Sequence, residues 1–108
     1  MRDPAQDPQL PLGLTRVGSS RTFTLETLPA ALQEDHSLRA GRWGQFVLEE
    51  GSVTFVDLER GEELKLTAPA THPIAPQARH HLRVDGPLTC RIDFYEAPRE
   101  PNGPVARR

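Results

Sequence analysis

The chain reads Pro73-Ile-Ala-Pro-Gln-Ala-Arg-His-His-Leu-Arg-Val84 at the point around which the rest is organised. The two prolines of this stretch restrict the backbone and predict a tight turn, and the residues from His80 onward predict the start of a β-strand. Successive side chains on a strand point to opposite faces, so the apolar Leu82 marks the face of His80 as the inner one. His81 then points outward.

Short segments of alternating polar and apolar residues, separated by glycine and proline turns, predict strands along most of the chain. Thr27 and Pro29 predict a short helical turn, with Thr27 as its cap. A strand that ends at Glu50-Gly51 and a returning strand predict a hairpin. Six or seven short strands of this kind indicate an all-β sandwich or barrel. The predicted strands outside the opening stretch are 21–25, 45–51, 52–58, 62–67 and 88–95.

A chain of 108 residues predicts one small domain. Residues 1–20 are rich in proline and glycine and are expected to form a flexible tail, with an edge strand within 12–17 as the alternative. Residues 98–108 are expected to form a disordered C-terminal tail. The folded domain is therefore predicted to span 21–97.

Composition excludes several classes of partner. The net charge is −2, so there is no basic excess to hold a nucleic-acid backbone. No apolar run is long enough to cross a membrane and no signal peptide is evident. The single cysteine, Cys90, cannot form an internal disulfide, which predicts a reduced, cytoplasmic setting. A core of this size gives modest stability, which makes a homodimer a reasonable expectation.

Imidazoles are the side chains here that would bind a metal or a polar ligand at a barrel mouth. His80 faces inward; the alternative is a barrel histidine satisfied by a hydrogen bond. His36 stands in a polar loop, where a solvated histidine is the default. His72 precedes a proline and is predicted to lie at the surface. Trp43, between two glycines, is typical of a core or rim aromatic residue.

Asp93 is the acidic residue whose surroundings stand out. It follows Ile92 in an apolar strand, and an unpaired buried carboxylate would be costly. Arg91 shares its face two residues away, so an ion pair between them is the simpler account. No phosphate-binding loop and no nucleophile elbow occurs in the chain.

Five segments of the chain, taken in order, resemble the DUF1971 family of small cupins, which also forms the N-terminal part of some tellurite-resistance TehB proteins. The resemblance runs from about Arg21 to Ala97. The segments are Thr27-Leu-Pro-Ala-Ala-Leu-Gln-Glu-Asp-His36, Ala40-Gly-Arg-Trp-Gly44, Val47-Leu-Glu-Glu-Gly51, Ala75-Pro-Gln-Ala-Arg-His-His81 and Ile92-Asp-Phe-Tyr95.

The resemblance implies a cupin-like double-stranded β-helix barrel and maps the opening stretch onto the second cupin motif. His80 then falls at the motif histidine, and Gln77 stands where many cupins have glycine. The His-x-His of the first motif is missing, and His36 replaces it from a preceding loop. Arg83 occupies a position that is often acidic in relatives, but strand parity groups it with His81.

The resemblance implies a small cupin that binds a divalent metal (zinc, nickel or iron) or a small molecule through His36 and His80, with a possible link to tellurite, oxyanion or oxidative-stress response. His81, Asp93, Trp43 and Gln77 are candidate additional site residues. The alternatives are a metal-dependent dioxygenase or isomerase and a dimeric interaction module. No segment resembles the methyltransferase domain of full-length TehB proteins, so that chemistry is not expected here.

Overall fold

The structure, a computed structural model, describes residues 9–97 and consists of β-strands joined by turns. It confirms the predicted all-β barrel. One short 3-10 turn, Ala30–Gln33, precedes the longest strand. The strands are β1 (Thr15–Ser19), β2 (Phe23–Thr24), β3 (Trp43–Asp57), β4 (Glu62–Thr67), β5 (Ala70–Ile74), β6 (His80–Arg83) and β7 (Leu88–Glu96).

Strand β3 belongs to both sheets of the barrel. Its first part, 43–51, pairs antiparallel with β7 on one side, and residues 44–48 pair with β5 on the other. Its second part, 52–57, pairs with β4, and residues 54–57 pair with β6. The first sheet is completed by β1 and β2, which pair with different parts of β7.

The predicted hairpin at Glu50-Gly51 is wrong, because β3 runs through this point without reversing. Gly51 has a φ of +84°, and the register against β7 shifts between Leu48 and Glu50. A bulge of this kind bends a strand and increases its twist, which lets it pass from one sheet to the other. The sequence signal of a turn therefore marks a corner within one strand.

The barrel core lies between the two sheets and is made of inward-facing side chains at period 2. Val53, Phe46, Leu48, Phe55 and Cys90 are fully buried there. Burial raises the pKa of the Cys90 thiol to about 11, so this cysteine is neutral at physiological pH.

Three expectations about the N-terminal part need correction. Thr15–Ser19 forms an edge strand on β7, so the tail assignment does not hold there; an edge strand was the predicted alternative, but it lies at 15–19 rather than within 12–17. The strand predicted at 21–25 shortens to Phe23–Thr24. Thr27 does not cap the helical turn; its hydroxyl accepts the backbone N–H of Thr24 at 2.8 Å, and Pro29 is the N-cap residue.

The predicted tail at 98–108 and the first eight residues lie outside the described residues. From residue 9 to residue 97, the chain contains no helix of the length and hydropathy that a membrane span requires.

Candidate functional site

The two histidines predicted to form a site lie side by side. The backbone N–H of His36 donates to the carbonyl of His80 at 3.0 Å, and the N–H of His80 donates back at 2.9 Å, which closes an antiparallel bridge. Their ring centroids are 4.1 Å apart in an edge arrangement. The loop before β3 therefore delivers His36 to the start of β6, as the resemblance implied.

The same local hydrogen bond orients both rings. Nδ1 of His36 lies 2.9 Å from the carbonyl oxygen of Glu34, and Nδ1 of His80 lies 2.9 Å from that of Ala78. A carbonyl oxygen can only accept, so each Nδ1 carries the proton. In the neutral rings, Nε2 is then the hydrogen-bond acceptor and the potential metal ligand.

His72 is a third histidine in the same region, and its predicted surface position is wrong. It is 6% exposed, on the inner face of β5 opposite Phe46. The Phe55 ring packs against two imidazoles, 4.4 Å from the centroid of His72 and 5.4 Å from that of His80. The sequence signal was the period-2 series Ala70, His72, Ile74, which the neighbouring proline obscured.

A cavity of about 260 Å³ opens beside these rings. This is close to the lower end of the roughly 300–1,000 Å³ typical of small-molecule sites. Most of its wall is apolar or aromatic, and its charged groups are one carboxylate and one guanidinium. His36 is not part of the lining. The lining residues are Gln9, Trp43, Phe55, Asp57, Arg60, His72, Pro73, Ile74, Ala75, Ala78 and His80.

His80 is held in its neutral form. Burial lowers its pKa below the ordinary value of 6.5, and the nearby rings of His36 and His72 act in the same direction. The hydrogen bond to Ala78 and the carboxylate of Asp57 favour the charged form but do not offset burial. At neutral pH, Nε2 of His80 is therefore a hydrogen-bond acceptor, on a residue that lines the cavity.

Asp57 is a site residue that the sequence reasoning missed. It is the direct register partner of His80 across β3 and β6, and opposed residues project to the same face. Its Oδ1 accepts the backbone N–H of Arg60 at 3.0 Å. The available signal was the series Val53, Phe55, Asp57, which places an acid at the end of an inward-facing row.

The other candidates occupy different places. Trp43 lines the cavity. His81 points away from it, and its Nδ1 donates to the carboxylate of Asp35 at 2.8 Å. Gln77 is exposed in the turn before β6 with a φ of +61°, in the left-handed region that favours glycine.

Asp93 lies on the outer face of the first sheet, away from the histidines. It accepts hydrogen bonds from Ser19 at 2.7 Å and from Nε of Arg91 at 3.0 Å, so the predicted ion pair with Arg91 forms. Burial acts to raise the pKa of Asp93, but these hydrogen bonds outweigh it and hold the pKa below its ordinary value. Asp93 therefore acts in the packing of β1 onto β7.

Arg83 is also remote from the site. It is exposed on the outer face of β6 and donates to Glu63 on β4 at 2.6 Å. Strand parity separates it from His80, as the alternation of the sequence predicted. An arginine at this position consequently leaves the His36–His80 pair unaltered.

The donor set at the histidine pair does not fit a metal enclosed by protein ligands. Structural zinc sites take four protein ligands and catalytic sites take three. Between residues 9 and 97, no three histidine, cysteine, aspartate or glutamate side chains come together as a metal site. His36 and His80 offer two imidazoles.

The family model that matches the chain is that of the TehB-like domain, and the match covers residues 19–92. The chain belongs to the TehB-like domain family. The resemblance noted in the sequence is thereby confirmed.

The curated relatives are longer than this TehB-like chain. The probable S-adenosyl-L-methionine-dependent methyltransferase TehB of Haemophilus influenzae, found in two strains, is 30% identical over 79 residues. The match covers 68% of this chain and 28% of that protein. The chain thus spans less than a third of the length of the curated relatives that it matches.

Two solved structures show the same fold. The crystal structure of TehB from Haemophilus influenzae superposes with a TM-score of 0.69 at 29% identity, covering 80% of this chain and 32% of that one. A protein from Escherichia coli strain K12 superposes with a TM-score of 0.75 at 19% identity, covering 83% of this chain and 97% of that one. The second likeness concerns the fold alone.

Proposed function

We propose that this TehB-like domain is a non-catalytic binding module that takes a small organic ligand into the cavity beside His80. The observation that carries the proposal is the cavity itself: an aromatic and apolar wall with a neutral, buried imidazole set into it. Ligand sites commonly combine such walls with a few fixed polar groups. The hydrogen bond from His80 to Ala78 fixes the ring before any ligand arrives, which lowers the entropic cost of binding.

Blocking the cavity is expected to abolish binding. Trp43 lines the cavity and is the only tryptophan, so its indole N–H signal in an NMR titration reports on this site. The probes are benzylamine, benzyl alcohol and benzoate. We expect at least one of them to shift the Trp43 signal saturably. Ala75→Phe fills the cavity and should lower the affinity for that probe more than tenfold.

Thr71→Phe is the matched control, because Thr71 is exposed on β5 and outside the cavity lining. This variant should bind as the wild type does. If Ala75→Phe also binds as the wild type does, or if none of the three probes shifts the Trp43 signal, the cavity is not a binding site.

A divalent metal at His36 and His80 is the second candidate, favoured by the two Nε2 atoms that the backbone hydrogen bonds leave as ring acceptors. Metal analysis after loading with zinc and dialysis tests it. If the pair binds zinc, wild type retains it and the His36→Ala/His80→Ala variant loses it. His81→Ala is the control, since that imidazole faces Asp35. Equal, negligible zinc in wild type and the double variant excludes this candidate.

A further inference from the structure

The carboxylate and the guanidinium that line the cavity, Asp57 and Arg60, do not form an ion pair with each other. Nε of Arg60 lies 3.5 Å from a carboxylate oxygen of Glu62, so the charge of this guanidinium has a partner outside the lining. Asp57 bonds a backbone N–H of Arg60. In the part of the chain that the structure describes, no lysine or arginine side chain forms an ion pair with Asp57. The lining therefore presents a carboxylate that these side chains do not neutralise.

The group opposite this carboxylate also accepts hydrogen bonds. His80 is the register partner of Asp57, and its Nδ1 proton is used by the carbonyl of Ala78. In the neutral ring, Nε2 can only accept. Two acceptors on one face call for a ligand that donates more than one hydrogen bond.

The aromatic and apolar walls of the cavity favour a ligand that combines a positive charge with an apolar surface. Phe55 and Trp43 line the cavity on β3, and the faces of aromatic rings carry a negative electrostatic potential. Ile74, Pro73 and Ala75 supply apolar contact. A carboxylate next to aromatic rings is a combination that attracts an ammonium group.

From this arrangement we propose that the ligand is a small protonated amine with an apolar body, its ammonium group held by Asp57 and its body packed on Phe55 and Trp43. This proposal rests on the proposed function and names the chemical class that the cavity selects. The ammonium donates to the Asp57 carboxylate and to Nε2 of His80. Binding involves no covalent step.

Asp57→Asn is expected to lower the affinity for benzylamine by about 10- to 100-fold, because a hydrogen bond to a charged carboxylate is replaced by one to a neutral amide. Benzyl alcohol, which has a similar shape and no charge, should bind wild type and variant within a factor of two. Wild type should prefer benzylamine over benzyl alcohol and over benzoate by at least tenfold. The measurement is the NMR titration of the Trp43 indole signal at pH 7.5.

Glu63→Gln is the matched control, because it removes one negative charge from an exposed residue outside the lining. It should leave the benzylamine preference unchanged. If Asp57→Asn binds benzylamine as wild type does, or if benzyl alcohol or benzoate binds wild type as tightly as benzylamine, the amine proposal is overturned while the cavity remains a binding site. If none of the probes binds, the amine proposal and the proposed function fall together.

Discussion

Gly51→Ala is expected to lower the free energy of unfolding by about 2–5 kcal/mol, from a left-handed backbone cost of about 1–2 kcal/mol and an overpacking cost of about 1–3 kcal/mol. A Cβ at this position would lie 2.2 Å from the carbonyl oxygen of Pro87 and 2.9 Å from Cα of Leu88. Both neighbours are backbone atoms, so relief requires β3 and β7 to move apart. Urea unfolding followed by circular dichroism measures the loss.

Gly41→Ala separates the two contributions. Gly41 has nearly the same conformation, with a φ of +82° against +84°, but a Cβ there would meet nothing within 4 Å. In this control, the free energy of unfolding should fall only by the backbone cost of about 1–2 kcal/mol. Equal losses in the two variants would mean that β3 and β7 can separate at Gly51 at little cost.

Phe55→Ala is expected to destabilise the domain by about 3–5 kcal/mol and to disturb the histidines as well. Phe55 is 2% exposed and its ring packs against those of His72 and His80. Phe46→Ala should cost a similar amount, since Phe46 is 1% exposed in the same core. Urea unfolding of both variants gives the comparison.

The two phenylalanines should differ in their effect on His80. Burial is the main cause of the lowered pKa of His80. Phe55→Leu leaves the imidazole less buried and should therefore raise that pKa toward 6.5. The milder substitution keeps the domain folded for an NMR titration of the imidazole signals. Phe46→Leu should leave the pKa of His80 where it is. A shift of the same size in both variants would show that general loosening, rather than the Phe55 ring, controls the site.

The lowered pKa of His80 also sets a pH dependence of stability. The pKa of His80 in the unfolded chain is near 6.5. As pH falls below this value, His80 of the unfolded chain binds a proton while the buried imidazole of the folded domain stays neutral. Stability is therefore full above that value and declines as pH falls toward the folded pKa. Phe55→Leu should reduce this decline between pH 7.5 and 5.5, when measured as the change in unfolding free energy relative to Phe46→Leu.

Most of the correct predictions from the sequence rest on the alternation of side chains along a strand. The inward direction of His80, the outward direction of His81 and the Arg91–Asp93 ion pair follow from period 2 and local spacing. The pairing of His36 with His80 came from the family resemblance, because no local rule states which strand a distant loop will bridge.

The errors share a physical origin in tertiary pairing. Glu50-Gly51 has the composition of a turn, but the chain there is paired to Leu88 and continues as a strand. His72 looks exposed beside its proline, yet β5 pairs with the first half of β3 and places the imidazole over Phe55. Asp57 lies beside His80 only because β6 pairs with this end of β3.

The passage of β3 through both sheets has a consequence for how the domain opens. The backbone amides of β4 and β7 lie in different sheets, yet both are bonded to this one strand. Neither sheet can detach from β3 and leave the other intact around the core, so the slowest hydrogen exchange in the two sheets reports one cooperative unit. A ligand held beside His80 would therefore slow exchange across the whole barrel, out to amides that it never touches.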